Sequence, residues 1–253
     1  MLREEAVIII KRFVQSLPEI TCAWEGGSVA TGYSDELSDL DLHLICNKND
    51  KETVLTEMME FLEKQFGIER SYRVPEPAWH GFSQVYVKTK RTSEFFYVDF
   101  VVLSDDNVNK MTEENRHGIG EVWVDNGSIT HDPLGEDEVL NICKTLYKKT
   151  IAHDFVLILE LKKAIKRGVY LELYPLYIAF LSRGIIPLLN IKERPDKADF
   201  GMRYIYREYS IEYAKLIERM FKVASVVDIS ENMAVLFNLY ETLKEDLSYL
   251  SEE

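Results

Sequence analysis

Cysteine, basic residues, long apolar runs and, in the second half, glycine are all scarce in this sequence, and each shortage removes a class of protein. Cys22, Cys46 and Cys143 lie far apart among 253 residues and form no C-x-x-C pair. They read as reduced core thiols, the usage expected of a cytoplasmic protein. His43, His80, His117, His131 and His153 are scattered and suggest no zinc site. Lysine and arginine total 30 against 43 acidic residues, a formal net charge of −13. A phosphate-tracking protein draws its affinity from a basic stripe, so a nucleic-acid partner is not expected. No segment approaches the ~18 uninterrupted apolar residues of a membrane span. The apolar run Ala6 to Ile10 is short, follows Glu4-Glu5 and lacks the pattern of a signal peptide, so neither membrane insertion nor export is expected. An apolar content of 46% can fill a real core, which excludes disorder for most of the chain.

What is present is unevenly distributed. Residues 1 to 135 carry 24 acids and 13 bases, whereas residues 136 to 253 carry 19 and 17. Nine of the twelve glycines precede residue 136. At roughly 100 to 200 residues per domain, this predicts a turn-rich domain over 1–135 and a helical one over 136–253. In the first, the pattern predicts a helix over 2–15, a strand over 21–25, a glycine turn with a short helix, and an alternating strand over 40–46. A helix over 53–65 and β-rich runs over 68–74, 82–89 and 94–103 follow. Helices mixed with sequential strands indicate an α/β or α+β sheet domain. In the second half, one long helix is predicted over 137–167 with Gly168 as its stop, then helices over 171–182, 200–223 and 230–250, giving an all-α bundle. Its apolar helices suit internal packing or a dimer interface, so a homodimer is compatible with the pattern.

One segment carries chemistry: Gly26-Gly27-Ser28-Val29-Ala30-Thr31-Gly32, continuing to Ser38-Asp39-Leu40-Asp41-Leu42. Two glycines after a strand let the backbone turn sharply and approach a ligand, and Ser28 opens a helix whose first amides favour an anion. Eleven residues after Ser28, Asp39 and Asp41 alternate with Leu40, Leu42 and Leu44. Strand geometry then sends both carboxylates to one face and the leucines to the core. Paired carboxylates suit Mg²⁺, which takes hard oxygen ligands and substrate phosphates. A third acid fits the plan, because Asp99 is the only charge within 95–103, and a buried carboxylate needs a metal or a cation as partner. Alone, Gly26-Gly27-Ser28 is an ordinary tight turn; coupled to Asp39-x-Asp41 at this spacing it reads as a site. As a calcium loop the segment is poor, having Asp50 at the twelfth position and no loop glycine.

Gly-Gly-Ser, about ten residues, Asp-x-Asp and a later strand Asp together resemble the nucleotidyltransferase superfamily of the DNA polymerase beta type. With the helical second half, the chain is similar to the antibiotic nucleotidyltransferases that adenylylate aminoglycosides or lincosamides. The resemblance implies that Gly27 and Ser28 hold the nucleoside triphosphate, ATP or another, and that Asp39 and Asp41 coordinate magnesium. It further implies that Asp99 completes the metal site or takes the proton of the acceptor hydroxyl. Many relatives carry arginine where Thr31 stands, so triphosphate charge must be met from elsewhere.

Lys149 and Lys163, 14 residues apart and close to four helical turns, share a face of the predicted long helix and are candidates for that role, alongside Lys148, Lys162, Lys166 and Arg167. Arg194, Lys197 and Arg203 form a later basic group. Each of these is otherwise a solvated surface residue. His43 follows the carboxylates on the same face and reads as a hydrogen-bonded histidine rather than a ligand. Tyr170, Tyr174, Tyr177 and Phe180 have the spacing of a helical core. Trp79 and His80, flanked by Pro75, Pro77 and Gly81, read as an exposed loop, the alternative being a border of the acceptor pocket. The expected reaction is transfer of a nucleoside monophosphate, AMP from ATP, to a hydroxyl of a small molecule, with pyrophosphate released in a cleft between the two domains. An acidic first domain would attract a cationic acceptor such as an aminoglycoside. The competing expectations are a protein or RNA acceptor, and a non-catalytic nucleotide-binding sensor.

Overall fold

Leu40, Leu42 and Leu44 are fully buried while the intervening Asp41 and His43 face the other way, the period-two outcome of a strand with one apolar face. The computed structural model describes residues 1–78, 80–107 and 110–251. These form two compact units, Met1–Pro133 and Leu134–Glu253.

In the first unit α1 (Arg3–Val14) leads into β1 (Ile20–Glu25), the single turn α2 (Gly27–Ala30) and β2 (Leu40–Cys46). Then come α3 (Lys51–Phe66), β3 (Ile68–Arg73), β4 (Ser83–Thr89), β5 (Tyr97–Ser104), α4 (Glu114–His117) and β6 (Glu121–Val124). The strands form one sheet in the order β3-β4-β5-β2-β1-β6. Among the described residues β2 and β5 run parallel and the other strand pairs antiparallel. One sheet face packs on α1 and α3 through Ala6, Ile10, Val54, Met58 and Leu62, against Leu42, Val98, Phe100 and Val102. The other face carries a smaller apolar cluster of Cys22, Trp24, Ile45, Phe82, Val101 and Leu103. Asp41 and Asp99 belong to this second face, since their strand neighbours are the ones that meet the helices.

Two local differences from the sequence pattern have physical causes. Strand β5 begins at Tyr97 rather than Glu94, because Phe96 N–H closes a turn onto the Ser93 carbonyl and Lys88 Nζ donates to the Ser93 and Phe96 carbonyls. Strand β6 is only four residues long, too short to show a period.

The second unit is all-α, so a mixed sheet unit is followed by a helical one, as expected. The predicted long helix is two: α5 (Glu136–Ile151) and α6 (Asp154–Arg167). His153 leaves helical geometry at φ −142°, ψ 29°, and Asp154 is held by Tyr240 Oη and Lys244 Nζ, each 3.0 Å from Oδ2. Next come α7 (Tyr170–Phe180) and α8 (Ile186–Glu193), joined by a wide π-turn over Leu181–Ile185. Pro187, second in α8, has no N–H and its ring crowds the carbonyl four residues back, which the widened turn relieves. Among the described residues, Tyr170–Glu193 is the one helical stretch long and apolar enough to cross a membrane, with 56% of its apolar window buried inside the bundle.

The single helix expected over 200–223 is also divided, into α9 (Ile205–Glu208) and α10 (Ile211–Phe221). Tyr204 is left-handed at φ 60° and Ser210 caps α10 by accepting from Tyr213 N–H. Helix α11 (Val226–Asp246) completes the core with Met233, Leu236, Tyr240 and Leu243. Tyr177 and Phe180 are buried in that core and Tyr177 Oη donates to the Met220 carbonyl at 2.8 Å, the packing role their spacing implied.

Candidate functional site

The site is built where the loop after β1 meets the start of β2. Gly26 N–H donates to the Asp41 carbonyl at 2.8 Å, tying the loop to the strand. Gly27 follows at φ +55°, and a Cβ there would lie 1.7 Å from Asp41 Oδ2. Only glycine combines that backbone angle with that approach. Helix α2 then starts at Gly27 and Ser28, whose amides belong to a first turn and have no intrahelical acceptor. Thr31 turns its hydroxyl back to the Gly27 and Ser28 carbonyls at 3.2 and 3.3 Å. It closes the turn and does not supply charge. The far end of this turn is backed by Gly118, where a Cβ would come within 2.1 Å of the Ala30 carbonyl oxygen.

Helix α1 pins both ends of the loop through one side chain that sequence reasoning did not single out. Arg3 pairs with Glu25 at the end of β1 and donates from Nε and Nη2 to the Asp39 carbonyl at 3.3 and 3.1 Å. Glu25 is 1% exposed, and its burial pushes its carboxyl up even though the Arg3 guanidinium opposes that.

Asp41 and Asp99 are direct register partners on the parallel strands β2 and β5. Asp39 sits just before β2, close enough to the Tyr97 hydroxyl to act on it. Burial, the neighbouring Asp39 carboxylate and the charges of Asp41 and Asp99 together raise the Tyr97 phenol above its ordinary range. Burial, opposed by hydrogen bonds from Gln84 and reinforced by the charge of Asp39, pushes the Asp99 carboxyl up to about 6. Gln84 Nε2 lies 2.8 and 3.0 Å from the two Asp99 oxygens. The three acids therefore share one electrostatic neighbourhood. Among the described residues, no group of three or more His, Cys, Asp or Glu side chains is already arranged to hold one ion.

A hard divalent cation nevertheless fits the chemistry of these donors. They are carboxylates, Asp99 is destabilised as an anion by burial and by Asp39, and the Asp41 carboxylate lies against the Gly27 backbone. His43 stacks on Trp24 with centroids 4.8 Å apart. Burial, with the charge of His117 nearby, holds its imidazole down at about 4, which keeps it neutral at physiological pH.

The other expected contacts fare differently. Lys149 and Lys163 are exposed on α5 and α6, and the break at His153 removes the shared face inferred from one continuous helix. Lys163 Nζ is 2.6 Å from Glu160 on its own helix. Arg194 is buried and structural: it pairs with Glu208 and donates to Asn190 Oδ1, the Gly201 carbonyl and the Arg203 carbonyl. Lys197 pairs with the same Glu208 at 2.6 Å. These two cations are taken up inside the bundle. Trp79 lies outside the described residues, whereas His80 is placed and hydrogen-bonds Gln84. Gln84 and Tyr97 were missed as site residues; the polar alternation Gln84, Tyr86, Lys88 along β4, on the face of Asp99, is the signal that could have found the former.

No protein-family model matches the chain, and no curated protein matches it. Solved structures give distant likenesses. The chain aligns with the GLD-2/RNP-8 complex at 14% identity and a TM-score of 0.31, over 84% of this chain and 74% of that one. It aligns with the STING-associated CdnE c-di-GMP synthase from Capnocytophaga granulosa at 16% identity and a TM-score of 0.34, over 97% and 80%.

Proposed function

We propose that the chain is a magnesium-dependent nucleotidyltransferase that moves a nucleoside monophosphate, AMP from ATP, to a hydroxyl of a small molecule. The observation that carries this reading is the register pairing of Asp41 with Asp99, with the Gly27 backbone laid against the Asp41 carboxylate. Asp39, Asp41 and Asp99 would hold Mg²⁺. When bound, the ion supplies neutralisation of phosphate charge and alignment of the α-phosphorus.

The chain's own groups do the rest. Amides at Gly27 and Ser28 receive phosphate oxygens at the start of α2. As the alternative to completing the metal site, Asp99 accepts the proton of the attacking hydroxyl. The new bond forms between that hydroxyl oxygen and the α-phosphorus, the bond to the bridging oxygen breaks, and pyrophosphate leaves. Gln84 holds Asp99 by donating to both of its oxygens. The excess of 24 acids over 13 bases in residues 1 to 135 supports a cationic acceptor, an aminoglycoside-type molecule being one example.

The reading is tested by melting curves with ATP and Mg²⁺. Wild type should melt higher with both than with either alone, and Asp41→Asn should lose that increment. Equal increments in the two proteins would remove Asp41 from the site.

A further inference from the structure

Asp99 is not held by the carboxylate site alone. Gln84 Nε2 reaches both of its oxygens and also donates to Tyr86 Oη at 2.8 Å. Its other end, Oε1, lies 3.1 Å from His80 Nε2, while His80 Nδ1 accepts the Phe82 backbone N–H at 3.0 Å. These contacts admit one assignment of protons. A backbone N–H can only donate, so Nδ1 carries no proton and the neutral imidazole carries it on Nε2. That proton must go to Gln84 Oε1, and the amide NH₂ must then face Asp99 and Tyr86. The reverse amide orientation would set Oε1 against a carboxylate and NH₂ against an N–H, two repulsions in place of two bonds.

We infer that His80 is a positioning residue: through Gln84 it fixes the orientation of the Asp99 carboxylate for its work beside Asp41. The inference rests on the carboxylate site proposed above. Hydrogen-bonded partners behind a carboxylate ligand commonly govern its affinity for the ion by 10- to 100-fold, because a free carboxylate must first lose its rotational freedom. His80 comes from the loop before β4 and Gln84 from β4 itself. The loop therefore acts on a group of β5 through a side chain of β4.

The test uses the full chain and two readouts other than transfer. Nitrogen and carbon NMR of the His80 ring in the unmodified protein should show the neutral Nε2–H tautomer, and Mn²⁺ affinity should be read by electron paramagnetic resonance. We expect His80→Ala and Gln84→Met each to weaken Mn²⁺ binding by about tenfold or more. His80→Gln, which keeps a donor toward Gln84, should recover most of the loss. An Nδ1–H tautomer, or Mn²⁺ affinity in His80→Ala equal to wild type, overturns the inference and leaves the proposed reaction intact. Mn²⁺ binding with the expected variant pattern but no nucleotide transfer removes the reaction and keeps the inference. Failure of wild type to bind Mn²⁺ removes both.

Discussion

Asp41 and Asp99 stand opposite one another on the parallel strands β2 and β5. Parallel pairing of β2 with β5 brings together two acids that lie 58 positions apart in sequence. Carboxylates gathered on one sheet face, where burial and the charge of Asp39 already raise Asp99, are costly unless a cation or a reaction uses them. Asp41→Asn keeps the shape and removes one charge, so transfer should fall by at least about 10²-fold with the fold unchanged or more stable. Steady-state pyrophosphate release and urea unfolding on the same preparations check both halves.

Gly27→Ala attacks the same place from the backbone. A methyl group meets the Asp41 carboxylate and the residue must hold φ +55°. Stability should drop by about 1–3 kcal/mol, and the ATP-dependent rise in melting temperature should vanish. Substitution of Gly32, where a Cβ meets nothing within 4 Å, carries only the backbone strain and should retain that rise.

The raised carboxyl of Asp99 gives a pH signature in metal-free protein. Its folded value is about 6 against an ordinary 3.8, so the folded state favours the protonated form. The stabilisation from that preference is complete below about pH 4 and is lost as pH rises through 6. Asp99→Asn should therefore match wild type at pH 4 and exceed it above pH 7 by about 1–3 kcal/mol, the lower part of that range reflecting partial solvent access. Urea unfolding in a chelator across pH 4–8 measures the difference; a gap independent of pH would contradict the assignment.

Arg3 links the loop to α1, and its removal leaves Glu25 buried without its partner. Arg3→Met should cost about 3 kcal/mol at pH 8, and less as pH is lowered and the buried Glu25 carboxyl takes up a proton. The double variant Arg3→Met, Glu25→Gln should recover part of that loss, which a double-mutant cycle quantifies.

The parts of this site legible in the sequence are those with local causes. The alternation Leu40-Asp41-Leu42 needs only strand geometry, and Asp99 betrays itself as a lone charge in an apolar strand. The parts that escaped are set by distant partners. The residues around His153 suit a helix, and the break appears only with Tyr240 and Lys244 gripping Asp154. Arg194 looks like a surface cation until Glu208 and the Gly201 and Arg203 carbonyls bury it. Gln84 acquires a role only when β4 pairs with β5 and lays its amide across Asp99.

The most direct test is mass spectrometry of reactions containing the full chain, Mg²⁺, each of the common nucleoside triphosphates and a panel of hydroxylated acceptors, cationic aminoglycosides among them. The account predicts an acceptor gaining the mass of one nucleoside monophosphate, with equimolar pyrophosphate, in wild type and not in Asp41→Asn. No mass gain and no pyrophosphate with any nucleotide across the panel, or equal transfer by Asp41→Asn, would contradict it.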